Sequence, residues 1–424
     1  MTARPIVAYP LRPSLRTGEL LALNVRADGR PLDVLLARSG ADLVPLGASP
    51  VTFAGRPGEW SAYDIALPPS VRPGAYVARI VAHGAACVPM LDARDGAALF
   101  VLRSRRPARV LVNVPLFTYH AYSVGSCDPD SGDAAGASLY TGAERVSLAR
   151  PGGGIGGRLW DERNFDAYDR SSPRQTWAHW DAKAVAWLER EGIAHDVCTD
   201  IDLHMDATLL HDRSLFVCFG HHEYWTDAMR TRIEGFVAGG GNVAFFGANS
   251  LWFRTAYDAA SMSLSRAGAW PQSESALTGV SYGRGGGWWR GPRPRCGLTV
   301  RDASHWVFAQ TGLRDGDTFG ADARLVGYEC DGFGTPGAVP QTTIELASAD
   351  LTVHWIDPGE NGEVFARGRA SLVISHDAGT VLSVGTVDWP RLLGDDPAVT
   401  QITRNVIHRL ADHTEKPSNA AWRS

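Results

Sequence analysis

Residues 5–105 carry short apolar runs at 6–9, 20–25, 32–36, 60–67, 76–81 and 98–102, separated by turn signals such as Arg72-Pro73-Gly74. Runs of that length and spacing predict strands, and together a small β-sandwich. Arg103-Ser104-Arg105-Arg106-Pro107 breaks the pattern. A first domain is therefore expected over residues 1–106 and a second over 107–424.

The second part has a different grammar. Val110-Leu111-Val112-Asn113-Val114 is a continuous apolar run, as expected of a parallel strand buried on both faces. Trp180, Ala184, Trp187, Leu188 and Glu191 recur at helical spacing, Gly192 stops the helix, and a strand follows at 195–198. A strand at 215–219 leads through Gly220-His221-His222-Glu223-Tyr224-Trp225 to a helix capped by Thr226. Its apolar stripe is Met229, Ile233, Phe236 and Val237, and Gly239-Gly240-Gly241 ends it before a strand at 242–246. This βαβ unit predicts parallel strands and a right-handed crossover. Residues 123–176 show no periodicity and read as a long functional excursion from the sheet. Past Gly268, strand patterns return at 300, 325–328, 342–346, 352–355, 371–375 and 381–384, and a helix is expected at 397–410. No internal repeat is visible.

Composition narrows the function classes. With 424 residues, 44% hydrophobic and 21% charged, the chain is a folded protein rather than a disordered one. A net charge of -5 without a basic stripe argues against nucleic acid as a partner. No apolar run reaches the ~18–20 residues of a membrane span, and no signal-peptide segment stands at the start, so a cytoplasmic protein without a membrane partner is expected. The six cysteines are scattered, with no CxxC pair, which predicts neither a disulfide framework nor a zinc site.

The strongest chemical signal is the block 220–225, because it sets three ionisable side chains directly after a buried strand, where ligands of open α/β sheets bind. The next strand ends in Gly247-Ala248-Asn249-Ser250, bringing Asn249 to the same edge. The plain alternative is a structural pair of His221 and Glu223 with Asn249 capping a turn. Thr118-Tyr119-His120-Ala121-Tyr122-Ser123 and Ser138-Leu139-Tyr140 form a second cluster, reaching that edge from the first strand. Gly152, Gly154 and Gly157 satisfy GxGxxG but lack the strand and helix of a dinucleotide site. There is no P-loop or HExxH. Gly285-Gly286-Gly287-Trp288-Trp289-Arg290 could serve as a sugar platform, though a loop covering apolar surface explains it better.

On these residues the chain resembles the β-subunit (large-subunit) family of N,N-dimethylformamidase, a mononuclear non-haem iron amidohydrolase. The likeness rests on Gly220-His221-His222-Glu223-Tyr224-Trp225, Phe245-Phe246-Gly247-Ala248-Asn249 with Trp252, Ala121-Tyr122, Ser138-Leu139-Tyr140, Gly327-Tyr328-Glu329, Gly385-Thr386-Val387-Asp388-Trp389 and Asn405. It implies Fe(III) held by Tyr122, Tyr140 and Glu223, with Tyr119 left open as an alternative to Tyr122, and with His221 and Asn249 as catalytic residues beside the metal. Three hard anionic oxygen donors suit a trivalent ion. The expected fold is α/β: an N-terminal β-sandwich, then a parallel-sheet domain of the flavodoxin or glutamine-amidotransferase type with additional C-terminal strands. The expected activity is iron-dependent hydrolysis of a C–N bond in a small-molecule amide or formamide; homo-oligomerisation and a small partner subunit stay open. Two rivals remain. One is a carbohydrate- or partner-binding protein with a vestigial site. The other is a metal-free glutamine-amidotransferase-like hydrolase, which would need Cys or Ser where His221-His222 stands.

Overall fold

The computed structural model describes residues 6–27, 29–38, 44–45, 51–52, 59–85, 96–123, 138–150, 177–290, 293–352, 354–357, 364–365 and 368–412. The chain is a mixed α/β protein with several sheets. Near the N-terminus, Val7–Pro10, Leu21–Arg26 and Trp60–Ile65 form an antiparallel three-stranded sheet. A second sheet runs Ser14–Arg16, Ala97–Arg103, Gly74–Ala82, Pro31–Arg38, Val44–Pro45, with Val51–Thr52 also pairing to Pro31–Arg38. Successive strand residues point to opposite faces. Leu32, Val34 and Leu36 accordingly meet Leu21, Leu23, Val25, Phe100 and Leu102 in one cluster. The intervening residues of Ala97–Arg103, namely Ala97, Leu99 and Val101, enter the core of the following part together with Val110 and Val112. The first six residues of that strand are apolar and buried on both faces.

The central sheet has nine strands in the order His195–Thr199, Val110–Val114, Leu215–His221, Asn242–Ala248, Thr380–Ser383, Arg369–His376, Ile344–Asp350, Leu298–Val300, Thr318–Phe319. The first five are parallel and the remaining pairings antiparallel, so the sheet is mixed rather than parallel throughout. The reason is local: only Asp377-Ala378-Gly379 separates Arg369–His376 from Thr380–Ser383, and so short a link can join only antiparallel strands. Leu215, Val217 and Phe219 face a core closed by the helices Asp181–Arg190 and Pro397–Asp412. Phe216 and Cys218 face the opposite side, against Met229 and Ile233 of the helix Asp227–Ala238. Each large side chain fully buried there contributes about 1.5–3 kcal/mol.

The strands expected at 6–9, 20–25, 32–36, 76–81 and 98–102 and the βαβ unit all occur, and Thr226 caps its helix by accepting from the Met229 N–H. Residues 325–328 are irregular instead of a strand, and Tyr328 there has a φ of 44°. The helix Leu116–Tyr122 carries no sequence signal, because all seven of its residues are buried and no polar stripe gives it a helical period. Cys198, Cys218, Cys296 and Cys330 are free thiols, while Cys87 and Cys127 lie outside the described residues. So do Gly152, Gly154 and Gly157, with most of the stretch 123–176. Trp289 of the glycine-tryptophan loop packs edge-on against Trp355 at 4.9 Å and donates to the Val326 carbonyl, covering apolar surface. No helix among the described residues is long and apolar enough to cross a membrane.

Candidate active site at the carboxyl edge of the sheet

The chain moves from Val110–Val114 outward to His195–Thr199, then back across it to Leu215–His221. Where the strand order reverses in this way, the segments leaving two neighbouring strands diverge and open a crevice. Three segments converge on it. The first is Leu116–Tyr122, whose Phe117 N–H donates to the Asp200 carboxylate at 2.7 Å; Asn113 holds the other oxygen of Asp200 at 2.7 Å. An acidic group at a helix start compensates N–H groups that have no partner within the helix.

The second segment follows Leu215–His221. Gly220 has a φ of 70°, and a Cβ there would lie 2.7 Å from the Cβ of Trp180, so only glycine lets the indole seal this strand end. The Trp180 ring stands edge-on to the His221 imidazole with centroids 6.0 Å apart. The third segment follows Asn242–Ala248, where Asn249 turns through a left-handed φ of 50° and its N–H donates to Asp331 at 2.8 Å.

These segments bring most of the candidate residues into contact. The Tyr122 hydroxyl donates to Glu223 Oε2 at 2.7 Å. Asn249 Nδ2 donates to Glu223 Oε1 at 3.0 Å and to Glu329 Oε2 at 3.4 Å. His221 Nε2 lies 3.0 Å from Glu329 Oε2 and 3.6 Å from Glu223 Oε2. Tyr140 stacks on Tyr122 with centroids 4.8 Å apart and is 53% exposed, forming the outer wall, while Tyr122, His221, Glu223 and Asn249 are buried. Tyr119 points elsewhere: its hydroxyl donates to Asp181. His222 also turns away, towards Asn113 Nδ2 at 3.4 Å and Asp181 Oδ1 at 4.0 Å.

Burial dominates the electrostatics. It lifts the Glu223 carboxyl to about 7, helped by Glu329 and opposed by His221 and by the hydrogen bonds from Tyr122 and Asn249. Burial also holds the Tyr122 phenol well above its usual range, with the Glu223 and Glu329 charges adding to it. Tyr140 is raised by the same causes. For His221, burial pulls down but Glu329 and Glu223 outweigh it, so its pKa is raised; for His222, burial and His221 push it down to about 3.

The oxygen donors fit a hard cation. Two acidic oxygens 2.7 Å apart in a buried site can both be anionic only if a positive charge sits with them. The buried Asn249 Oδ1 has no hydrogen-bond partner among the described residues. Among those residues no cluster of three or more His, Cys, Asp or Glu is arranged to hold a metal ion.

Glu329 and Asp331 are absent from the candidates drawn from sequence, although Tyr328-Glu329 lies within a stretch that carried the family likeness. A segment read as a strand end in fact turns back through two left-handed residues, Tyr328 at 44° and Glu329 at 51°. Such backbone concentrates at functional sites and could have been suspected only from Gly327 beside them.

No curated protein matches the chain. Among solved structures it has a distant likeness to the mmIFT52 N-terminal domain, with a TM-score of 0.33 and 11% identity over 55% of this chain and 91% of that chain. Residues 52–401 match a family of much closer bearing on the site, and the chain belongs to it: the N,N-dimethylformamidase beta subunit-like, C-terminal family.

Proposed function

We propose that the chain is an iron-dependent hydrolase of a C–N bond in a small amide or formamide, with Tyr122, Tyr140 and Glu223 as the donors to Fe(III). The observation that carries this reading is the buried contact of Tyr122 with Glu223, with Tyr140 stacked against it and Asn249 bound to the same carboxylate. The membership of a dimethylformamidase-like family supports it. When bound, the ion would supply Lewis acidity towards the amide carbonyl and the attacking water.

The chain's own residues supply the rest. His221, paired with Glu329 at 3.0 Å, holds a proton at the site and is placed to deliver it to the departing amine. Asn249 joins the Glu223 and Glu329 carboxylates, so its amide fixes the ligand relative to the proton carrier. Trp180 and Tyr122 wall off His221 from water. In the same reading, residues 1–106 form a β-sandwich domain and residues 107–424 a flavodoxin-like catalytic domain. The test is amine release from formamide, N,N-dimethylformamide and larger amides by protein reconstituted with ferric iron. Release that Glu223→Ala abolishes is expected; equal release by the iron-free protein would overturn the reading.

A further inference from the structure

Thr118 and Tyr122 are four residues apart on the helix Leu116–Tyr122, so they share one face. Tyr122 meets the Glu223 carboxylate, while the Thr118 hydroxyl oxygen accepts from the Glu223 N–H at 3.0 Å and the Tyr224 N–H at 3.3 Å. The Glu223 carbonyl accepts from the Phe253 N–H at 2.9 Å on the other side. Glu223 follows a strand end and has no ladder of its own to hold its amide, yet Thr118 is 1% exposed and its hydroxyl oxygen is within reach of two consecutive N–H groups. One helical turn therefore grips both the backbone and the side chain of this residue.

We propose that Thr118 is a positioning residue for the metal site, its hydroxyl oxygen setting the distance between the Tyr122 phenol and the Glu223 carboxylate. This rests on the reading that both are metal donors. Groups that orient metal ligands typically alter affinity by 10–100-fold when removed, without touching the ion. Valine matches the shape of threonine but accepts no hydrogen bond; serine keeps the acceptor and loses only a methyl group.

The experiment titrates the full chain with ferric iron against a competing chelator and records the tyrosinate-to-iron absorption band. Thr118→Val should lower affinity 10–100-fold and shift the band, and Thr118→Ser should restore both. If Thr118→Val does not fold, Thr118→Cys, with its weak sulfur acceptor, takes its place and should show the same loss. Parental affinity and band in the acceptor-free variant would overturn the proposal, as would equal losses in that variant and Thr118→Ser, which would make the methyl packing responsible. Glu223→Ala separates the two levels. Iron lost there but unchanged in Thr118→Val removes only the role of Thr118; iron unchanged in both removes the metal reading itself.

Discussion

Tyr122 and Glu223 lie 101 residues apart in sequence and share a hydrogen bond of 2.7 Å inside the protein. Their meeting follows from strand order, because Val110–Val114 and Leu215–His221 are paired neighbours and the segments leaving them face one crevice. Everything the site does depends on that adjacency.

Glu223→Ala should leave a folded protein that binds no iron. The Glu223 backbone is held by Thr118 and Phe253, so the fold keeps its local anchors, and removing a buried carboxyl also relieves a desolvation cost. Chemical denaturation should give stability within roughly 1 kcal/mol of the parent. Stoichiometric iron in the folded variant would remove Glu223 from the donor set.

The tyrosines differ by position. Tyr122→Phe and Tyr140→Phe should each weaken and shift the visible phenolate-to-iron band, while the rings keep their stacking at 4.8 Å. Tyr119→Phe should leave the band unchanged, because its hydroxyl donates to Asp181 and not to Glu223. Absorption spectra of the three variants decide the matter; a band altered in Tyr119→Phe and not in Tyr122→Phe would exchange the two assignments.

His221→Ala and Glu329→Gln should retain iron and colour but lower turnover by ~10²–10⁴-fold, the usual effect of losing a positioned acid or its partner. Asn249→Ala should combine a smaller rate loss with weaker iron retention, since its amide touches both carboxylates. Iron content and turnover measured on the same preparations separate these outcomes. Iron lost from His221→Ala would make the histidine a ligand.

The sequence made the frame of the site legible where burial leaves a periodic trace. Continuous apolar strands announced Val110–Val114, Leu215–His221 and Asn242–Ala248, and these deliver Tyr122, Glu223 and Asn249 to one edge. Leu116–Tyr122 left no trace, because a helix buried all round has no polar face to set a period. Glu329 was hidden for another reason: its place depends on a left-handed turn and on a bond from its N–H to the Gly287 carbonyl, both set by tertiary packing. The mixed sheet was legible only in part, since strand patterns identify strands but not the direction in which they pair.

Acid should destabilise the protein through histidines outside the site. Burial pushes His305 and His376 down from 6.5 to about 4 each, and their rings stack 6.3 Å apart near Arg409. The folded state binds these protons less tightly than the unfolded chain does. The stability gained by keeping the rings neutral is thus present above pH 6.5 and is lost as pH falls towards 4. Thermal midpoints should drop across that window in the parent and drop less steeply in His305→Gln. Equal slopes would mean that other groups carry the acid sensitivity.

The central claim is that two phenols and one carboxylate hold iron. Its most direct test is the iron content and visible spectrum of the purified full chain after reconstitution with ferric iron and removal of excess metal. A single ferric ion per chain is expected, with a coloured protein whose band weakens and shifts in Tyr122→Phe. A colourless protein that retains no iron, or one whose band is unchanged in Tyr122→Phe and Tyr140→Phe alike, would contradict the claim.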